Sequence, residues 1–328
     1  MMWLMALALL QLVAAGSPTP APTPPTPAPT TGAGPLPTTN ASFKVSTMDD
    51  SDHIIDVVYP TAGGPFPLIS FLHGFAEGNS GVMDAYAPFL FELSSWGFVV
   101  VAPRACTAGC VDCRFVSVKD PPCYGHYYKQ QLLAIDWAKF HAHASALPID
   151  RQAAVGIAGH SMGGQATMFS SGKDEYSGYN ITAAVMIHPY THTVLAPRVP
   201  TLVFTGTADT VAPPAMARGI FNATLGGAKA FVNAVNRTHF EPEVDVTDLP
   251  HKDAKNYNPR LAKFVAAWFK VFVGAEGEST AQVQGFRGQS FSDLIFGSGP
   301  TSLCHGGNGA MAECLTQQQH QQRTLKTE

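Results

Sequence analysis

The chain has 328 residues and a mass of 34.8 kDa, with 45% apolar and only 13% charged residues. That balance excludes a disordered chain, and a domain of nearly 300 residues buries about three quarters of its unfolded-chain surface, so a full core is available. A net charge of −4 and a pI near 6.3 argue against nucleic acid or an anionic membrane as the main partner, since both need a clustered basic excess.

Residues 2–16 read MWLMALALLQLVAAG. The apolar run is too short to span a membrane comfortably and ends in small residues, as a secretory signal peptide does. Residues 1–16 are therefore expected to be removed, leaving a secreted, extracellular protein with no stable membrane insertion. The lack of Lys or Arg ahead of the run keeps an uncleaved anchor as the alternative. Residues 17–41 are almost all Pro, Thr, Ala and Gly. Such a segment buries no core and should form an extended, O-glycosylated stalk, consistent with cell-wall association. Six cysteines, an even number, suit an oxidising compartment. The folded domain is expected over residues 42–315, with a disordered Gln-rich tail at 316–328.

Inside the domain, strand and helix patterns alternate. Strands are expected at 54–59, 67–72, 98–102, 153–158, 183–188, 201–205 and 229–235. Between them lie a helix at 83–96 with Gly97 as its cap, helices at 127–144 and 161–171, one opening at Pro213 and Pro214, and a last one at 260–273. The second helix places Leu133, Trp137, Phe140 and Ala144 on one face. The last carries Leu261, Phe264, Val265, Trp268, Phe269 and Phe272 in a broad stripe. Continuous apolar strands alternating with amphipathic helices mean an α/β fold: a mostly parallel sheet covered on both faces. Ligands of such sheets bind at the carboxyl ends of the strands, so reactive residues should follow strands.

Three candidates do. Gly159-His160-Ser161-Met162-Gly163 follows the strand AAVGIA and opens a helix. A G-x-S-x-G match alone is weak. A sharp strand–serine–helix turn needs small neighbours, though, and aims a helix N-terminus at the reacting atoms. Asp209 follows the strand TLVFT, where a carboxylate can orient a histidine, although by itself capping the next helix would be the better explanation. His239 follows the strand KAFVNAV and suits a general base. Ser161, Asp209 and His239, in that order and each after a different strand, follow the α/β-hydrolase order. An ordinary histidine base would lose activity below about pH 6.5.

The oxyanion hole needs two backbone N–H groups, expected from Met162 and from Phe75 in the loop His73-Gly74-Phe75. His73 and His160 read as structural residues. His188 and His192, flanking Tyr190, read as ambiguous, because solvated loop histidines are common.

GHSMGG, ADTVAP and THFEP, with SFLHGF upstream, resemble the cutinase-like polyesterases, the group that includes poly(ethylene terephthalate) hydrolases. The resemblance runs from about Val58 to Gly274. It implies an α/β-hydrolase fold, a Ser161–His239–Asp209 triad, and ester substrates, small or polymeric; the connection Pro189 to Val199 is too short for a large lid. No cofactor or metal is implied, and the expected state is a monomer. Phe75 takes the place of an aromatic that both serves the oxyanion hole and touches substrate. Tyr190 takes the place of an aromatic wall residue. A C-terminal disulfide of the family is matched by Cys304 and Cys314.

The Cys-rich stretch from Cys106 to Cys123 departs from that pattern. Chlorophyllases share the scaffold but usually carry Arg where this chain has Met162. Chlorophyllase-like or platelet-activating-factor-acetylhydrolase-like activity is the enzymatic alternative, and a catalytically silent binding protein is the alternative of another class. Pairing among Cys106, Cys110, Cys113 and Cys123 stays open, with disulfides preferred over zinc. Sequons stand at Asn40, Asn180, Asn222 and Asn236, the last crowding His239 if glycosylated.

Overall fold

The computed structural model describes residues 34–45, 53–75, 82–104, 121–141, 144–244, 257–274 and 302–306. Among the described residues, nine strands form one sheet. They are β1 (Thr38–Val45), β2 (His53–Pro60), β3 (Leu68–Leu72), β4 (Val99–Pro103), β5 (Val155–His160), β6 (Ile181–Ile187), β7 (Thr201–Gly206), β8 (Lys229–Ala234) and β9 (Ser302–Gly306). Their spatial order is β1-β2-β4-β3-β5-β6-β7-β8-β9. Strands β3 to β8 run parallel, while β1, β2 and β9 pair antiparallel at the margins.

The parallel strands are buried along their length, and alternate residues feed two cores. Leu68 and Leu72 of β3, Val99 and Val101 of β4, and Phe231 of β8 face one core. Ile69 and Phe71, Val100 and Ala102, and Ala230 and Val232 face the other. The first core is covered by α2 (Pro121–Phe140), α3 (Met162–Gly172) and α4 (Pro214–Ala223). The second is covered by α1 (Val82–Ser95) and α5 (Pro259–Phe272). Helices on both faces of a mostly parallel sheet make the α/β-hydrolase architecture expected from the sequence.

Local signals explain several boundaries. Gly97 adopts a φ of 91° just beyond α1, where its amide bonds Ser94 O at 2.8 Å. This left-handed stop costs a glycine little. Pro214 opens α4, where its missing N–H is no loss. The stripe of α5 is buried as expected, except that Phe272 sits half-exposed at its edge.

Two expectations need correction. The stalk ends sooner than residue 41, because Thr38 to Ala41 belong to β1 and pair with Pro60, Tyr59, Val58 and Val57. Threonines at its start suit an edge strand, and composition masked that. The face assigned to the second helix is also displaced. Phe140 is 79% exposed and Ala144 lies beyond the helix end. Trp137 is buried and Leu133 packs against the core as expected, and the helix also buries Leu132, Ala134, Ile135 and Ala138, together with Gln131. The Gln131 amide donates to Ser70 O, Ala158 O and Thr167 Oγ1, so a polar residue occupies the middle of the packed face.

The expected signal peptide 1–16, most of the stalk, the tail 316–328, and Cys106, Cys110, Cys113 and Cys314 lie outside the described residues. Cys304 lies in β9, opposite Phe231 of β8. Among the described residues, no helix is long and apolar enough to cross a membrane.

Candidate active site

Ser161 stands between β5 and α3 with φ 54° and ψ −116°, a conformation costly for a side chain other than glycine. Neighbouring backbone holds it there: its N–H donates to Ile187 O at 3.0 Å, and its carbonyl accepts from Tyr190 N at 3.0 Å. Crowding explains the glycines around it. A Cβ at Gly159 would collide with the Gly163 carbonyl, and one at Gly163 with the carbonyls of Leu72 and His73. The turn is therefore only as tight as glycine allows.

Three strand ends bring three side chains together. Ser161 Oγ lies 2.8 Å from His239 Nε2, and His239 Nδ1 lies 3.0 Å from Asp209 Oδ2. The hydroxyl donates to Nε2, and the Nδ1–H donates to the carboxylate. The other carboxylate oxygen, Oδ1, accepts from Val211 N at 3.0 Å and Ala212 N at 2.7 Å. Asp209 thus serves both as turn anchor and as partner of the histidine. All three residues are buried.

Electrostatics favour a neutral base beside a fixed anion. Burial is the largest influence on His239 and pushes it down to about 4, helped by the neighbouring His160 and His188 and opposed by Asp209. Burial alone would raise the Asp209 carboxyl, but hydrogen bonds from His188 and His239 hold it well below the usual carboxylate range.

Buried polar groups pack behind the trio. His160 Nε2 donates to His239 O at 2.8 Å, and its Nδ1 faces Glu243 Oε1 at 3.0 Å. The Tyr86 hydroxyl lies 2.8 Å from that Nδ1 and accepts from Gly74 N at 2.9 Å. His73 is fully buried, and its carbonyl accepts from the Tyr127 hydroxyl. Both histidines are buried and bonded to neighbouring polar groups. Met162 begins α3, and Phe75, three residues after β3, is half-buried against the core. Tyr190 is half-buried beside the elbow, with its hydroxyl 3.0 Å from the exposed His192.

His188 is the residue whose importance sequence reasoning missed. It is completely buried and bonds Asp209 Oδ2 at 2.8 Å and Glu241 Oε2 at 3.0 Å. Its place directly after an apolar strand was the available signal. Ligand-type atoms of His188, Asp209 and His239 fall within 4.8 Å of one another. That proximity is the hydrogen bonding itself, because Asp209 Oδ2 already accepts from both rings. A cation would have to displace both ring protons, so the cluster is read as a hydrogen-bonded unit and not as a metal centre.

A serine on a strained strand–helix turn, a histidine at its hydroxyl and an aspartate behind the histidine, all at the carboxyl edge of this sheet, define the α/β-hydrolase class. Within that class, the chain belongs to the PET hydrolase-like family, which it matches over residues 18–285. A bis(hydroxyethyl) terephthalate hydrolase from Streptomyces coelicolor (strain ATCC BAA-471 / A3(2) / M145) is 27% identical over 223 residues. The alignment covers 66% of this chain and 61% of that protein, so the chain spans about three fifths of the length of this curated relative.

Proposed function

We propose that the chain is a secreted carboxylic ester hydrolase of the polyesterase kind, working through an acyl-enzyme on Ser161. The observation that carries this reading is the continuous hydrogen-bonded line Ser161 Oγ, His239 Nε2, His239 Nδ1, Asp209 Oδ2, with links of 2.8 and 3.0 Å. Family membership and the terephthalate-ester relative support it.

Ser161 Oγ attacks the ester carbonyl while His239 Nε2 takes its proton. Asp209 holds the ring in the tautomer that leaves Nε2 free to accept, and stabilises the imidazolium that forms. The N–H groups of Met162 and Phe75 receive the oxyanion, favoured by the N-terminus of α3. The Gly74 amide is committed to Tyr86 and is not one of the donors. His239 returns the proton to the leaving alcohol. Water, activated by the same base, then releases the acid. Phe75 and Tyr190 form apolar walls on which a flat acyl group can stack.

Purified protein should hydrolyse p-nitrophenyl butyrate and bis(hydroxyethyl) terephthalate and be labelled once by a fluorophosphonate. Ser161→Ala should abolish the label and lower kcat by on the order of 10⁶ while leaving the fold intact. A label that persists on another serine would overturn the assignment. Absence of turnover by the wild type on both esters would overturn the function.

A further inference from the structure

Among the buried ionisable groups of the described residues that the proposed chemistry does not use, His188 is the one bonded to a side chain of the trio. His188 lies at the end of β6 with φ 45°, and its own amide donates to Phe204 O at 2.7 Å. Its ring is fully buried between two carboxylates, Asp209 Oδ2 at 2.8 Å from Nδ1 and Glu241 Oε2 at 3.0 Å from Nε2. A neutral imidazole has one donor and one acceptor nitrogen, while a carboxylate only accepts. Two carboxylates therefore require two ring protons. Imidazole is also the stronger base by about two units, so the shared protons sit on nitrogen.

We propose that His188 is a positioning residue: an imidazolium clamped between Asp209 and Glu241 that fixes the aspartate on which His239 turns and keeps His239 a neutral base in acidic solution. This rests on the triad reading given above. Asp209 Oδ2 accepts from both histidines, so the two rings compete for one oxygen. Their centroids are 5.9 Å apart and their planes are crossed at 78°. A permanent cation there withdraws negative charge from the Asp209–His239 pair and repels a proton arriving at His239. Burial alone would lower His188, but its bonds to Asp209 and Glu241 push it up to about 9.

The surroundings complete the charge balance. Glu241 also takes the Asn258 amide and lies 3.6 Å from Arg237 Nε. On the opposite side His239 meets the His160 ring at a centroid distance of 4.9 Å, with Glu243 and Tyr86 behind it. Of these surrounding side chains, His188 is the one besides His239 that bonds the aspartate directly.

The test replaces His188 by asparagine, which tolerates the left-handed backbone, alone and together with Glu241→Gln. The double variant removes cation and anion together, so it stays folded if the single variant leaves Glu241 stranded. A unit charge about 6 Å away in a medium of effective dielectric near 20 moves a neighbour's pKa by on the order of 1–2 units. The acidic limb of kcat/KM for p-nitrophenyl butyrate, near pH 4 in the wild type, should rise by that amount in the single variant and by a smaller but measurable amount in the double variant, where loss of the Glu241 anion offsets part of the change. At pH 7.5, kcat should fall about tenfold with KM changed less than twofold. Nitrogen-15 NMR of wild-type protein at pH 7.5 should show both ring nitrogens of His188 protonated. A folded double variant with an unmoved acidic limb would overturn the proposal, and so would a neutral His188 ring in the spectrum. A wild type that neither turns over esters nor takes the fluorophosphonate label would instead sink the triad reading, and the NMR result would still report on the clamp.

Discussion

At the scale of single residues, Asp209 carries more contacts than an orienting group needs. Its two oxygens accept from two backbone amides and two imidazoles. Asp209→Asn keeps the shape but offers an N–H where His239 needs an acceptor, which reverses the favoured tautomer of the ring. The expected result is a loss in kcat of about 10⁴ at neutral pH, read with p-nitrophenyl butyrate, with the circular dichroism spectrum unchanged. A loss below tenfold would show that His239 keeps its tautomer without the carboxylate. The three side chains that meet at the candidate site were legible in the sequence because each follows a strand in a diagnostic order. His188 was not. The apolar strand before HPYTH hints that this histidine is buried, but its partners lie 21 and 53 residues further along the chain and no local pattern names them. The same blindness set the expected acidic limit near pH 6.5. Burial and neighbouring imidazoles, which no spacing reveals, lower His239 to about 4.

At the scale of elements, most strand and helix positions were readable from apolar periodicity, since parallel strands buried on both faces have no polar side to obscure them. The failures fall where an element's identity depends on a distant neighbour. Strand β1 looks like stalk until β2 pairs with it, β9 sits opposite β8 across a long interval of chain, and α2 turns a glutamine inward to meet three acceptors. The contact of α1 with α5 hides another such case. Glu92 of α1 is buried, and its Oε2 accepts from the Tyr257 hydroxyl at 2.7 Å. Its Oε1 has no hydrogen-bond partner among the described residues. Burial raises this carboxyl to about 7 against the weaker pull of Tyr257 and Lys263. A raised value means the neutral acid favours folding. The contribution is present below about pH 4.5 and lost as pH rises through about 7. Glu92→Gln should therefore leave Tm unchanged at pH 4.5 and raise it by a few degrees at pH 8.5. This corresponds to on the order of 1 kcal/mol after allowance for partial solvation of the carboxylate. Equal melting points at pH 8.5 would show that the ionised carboxylate finds solvent or Lys263 without cost.

At the scale of the whole molecule, access to Ser161 depends on what the sheet's connections are free to do. In lipases a long helical insertion after the strand that follows the nucleophile helix can cover the site. Here that connection runs only from His188 to Pro200, between β6 and β7, which is too short for a cap. It is also tied along its length. Tyr190 N bonds Ser161 O at 3.0 Å, Gln165 donates to Thr191 Oγ1 at 2.9 Å, and Arg198 N bonds Ser171 O at 3.0 Å. Leu195 packs into the core between the last two of these ties. Moving this segment would break the bonds that hold the nucleophile turn itself, so it cannot serve as a lid while Ser161 stays in place. Hydrolysis of an ester such as tributyrin should therefore rise smoothly with concentration and show no jump at the solubility limit. Tyr190, fixed by the same ties, should act as a rigid wall. Tyr190→Ala should raise KM for bis(hydroxyethyl) terephthalate several-fold, as the loss of one aromatic stacking contact of roughly 0.5–1.5 kcal/mol and its buried area implies, and barely change KM for p-nitrophenyl acetate acting through its small acyl group. A jump at the solubility limit would assign a covering role to a segment other than this connection, and an equal KM change for both esters would remove Tyr190 from the acyl-binding wall.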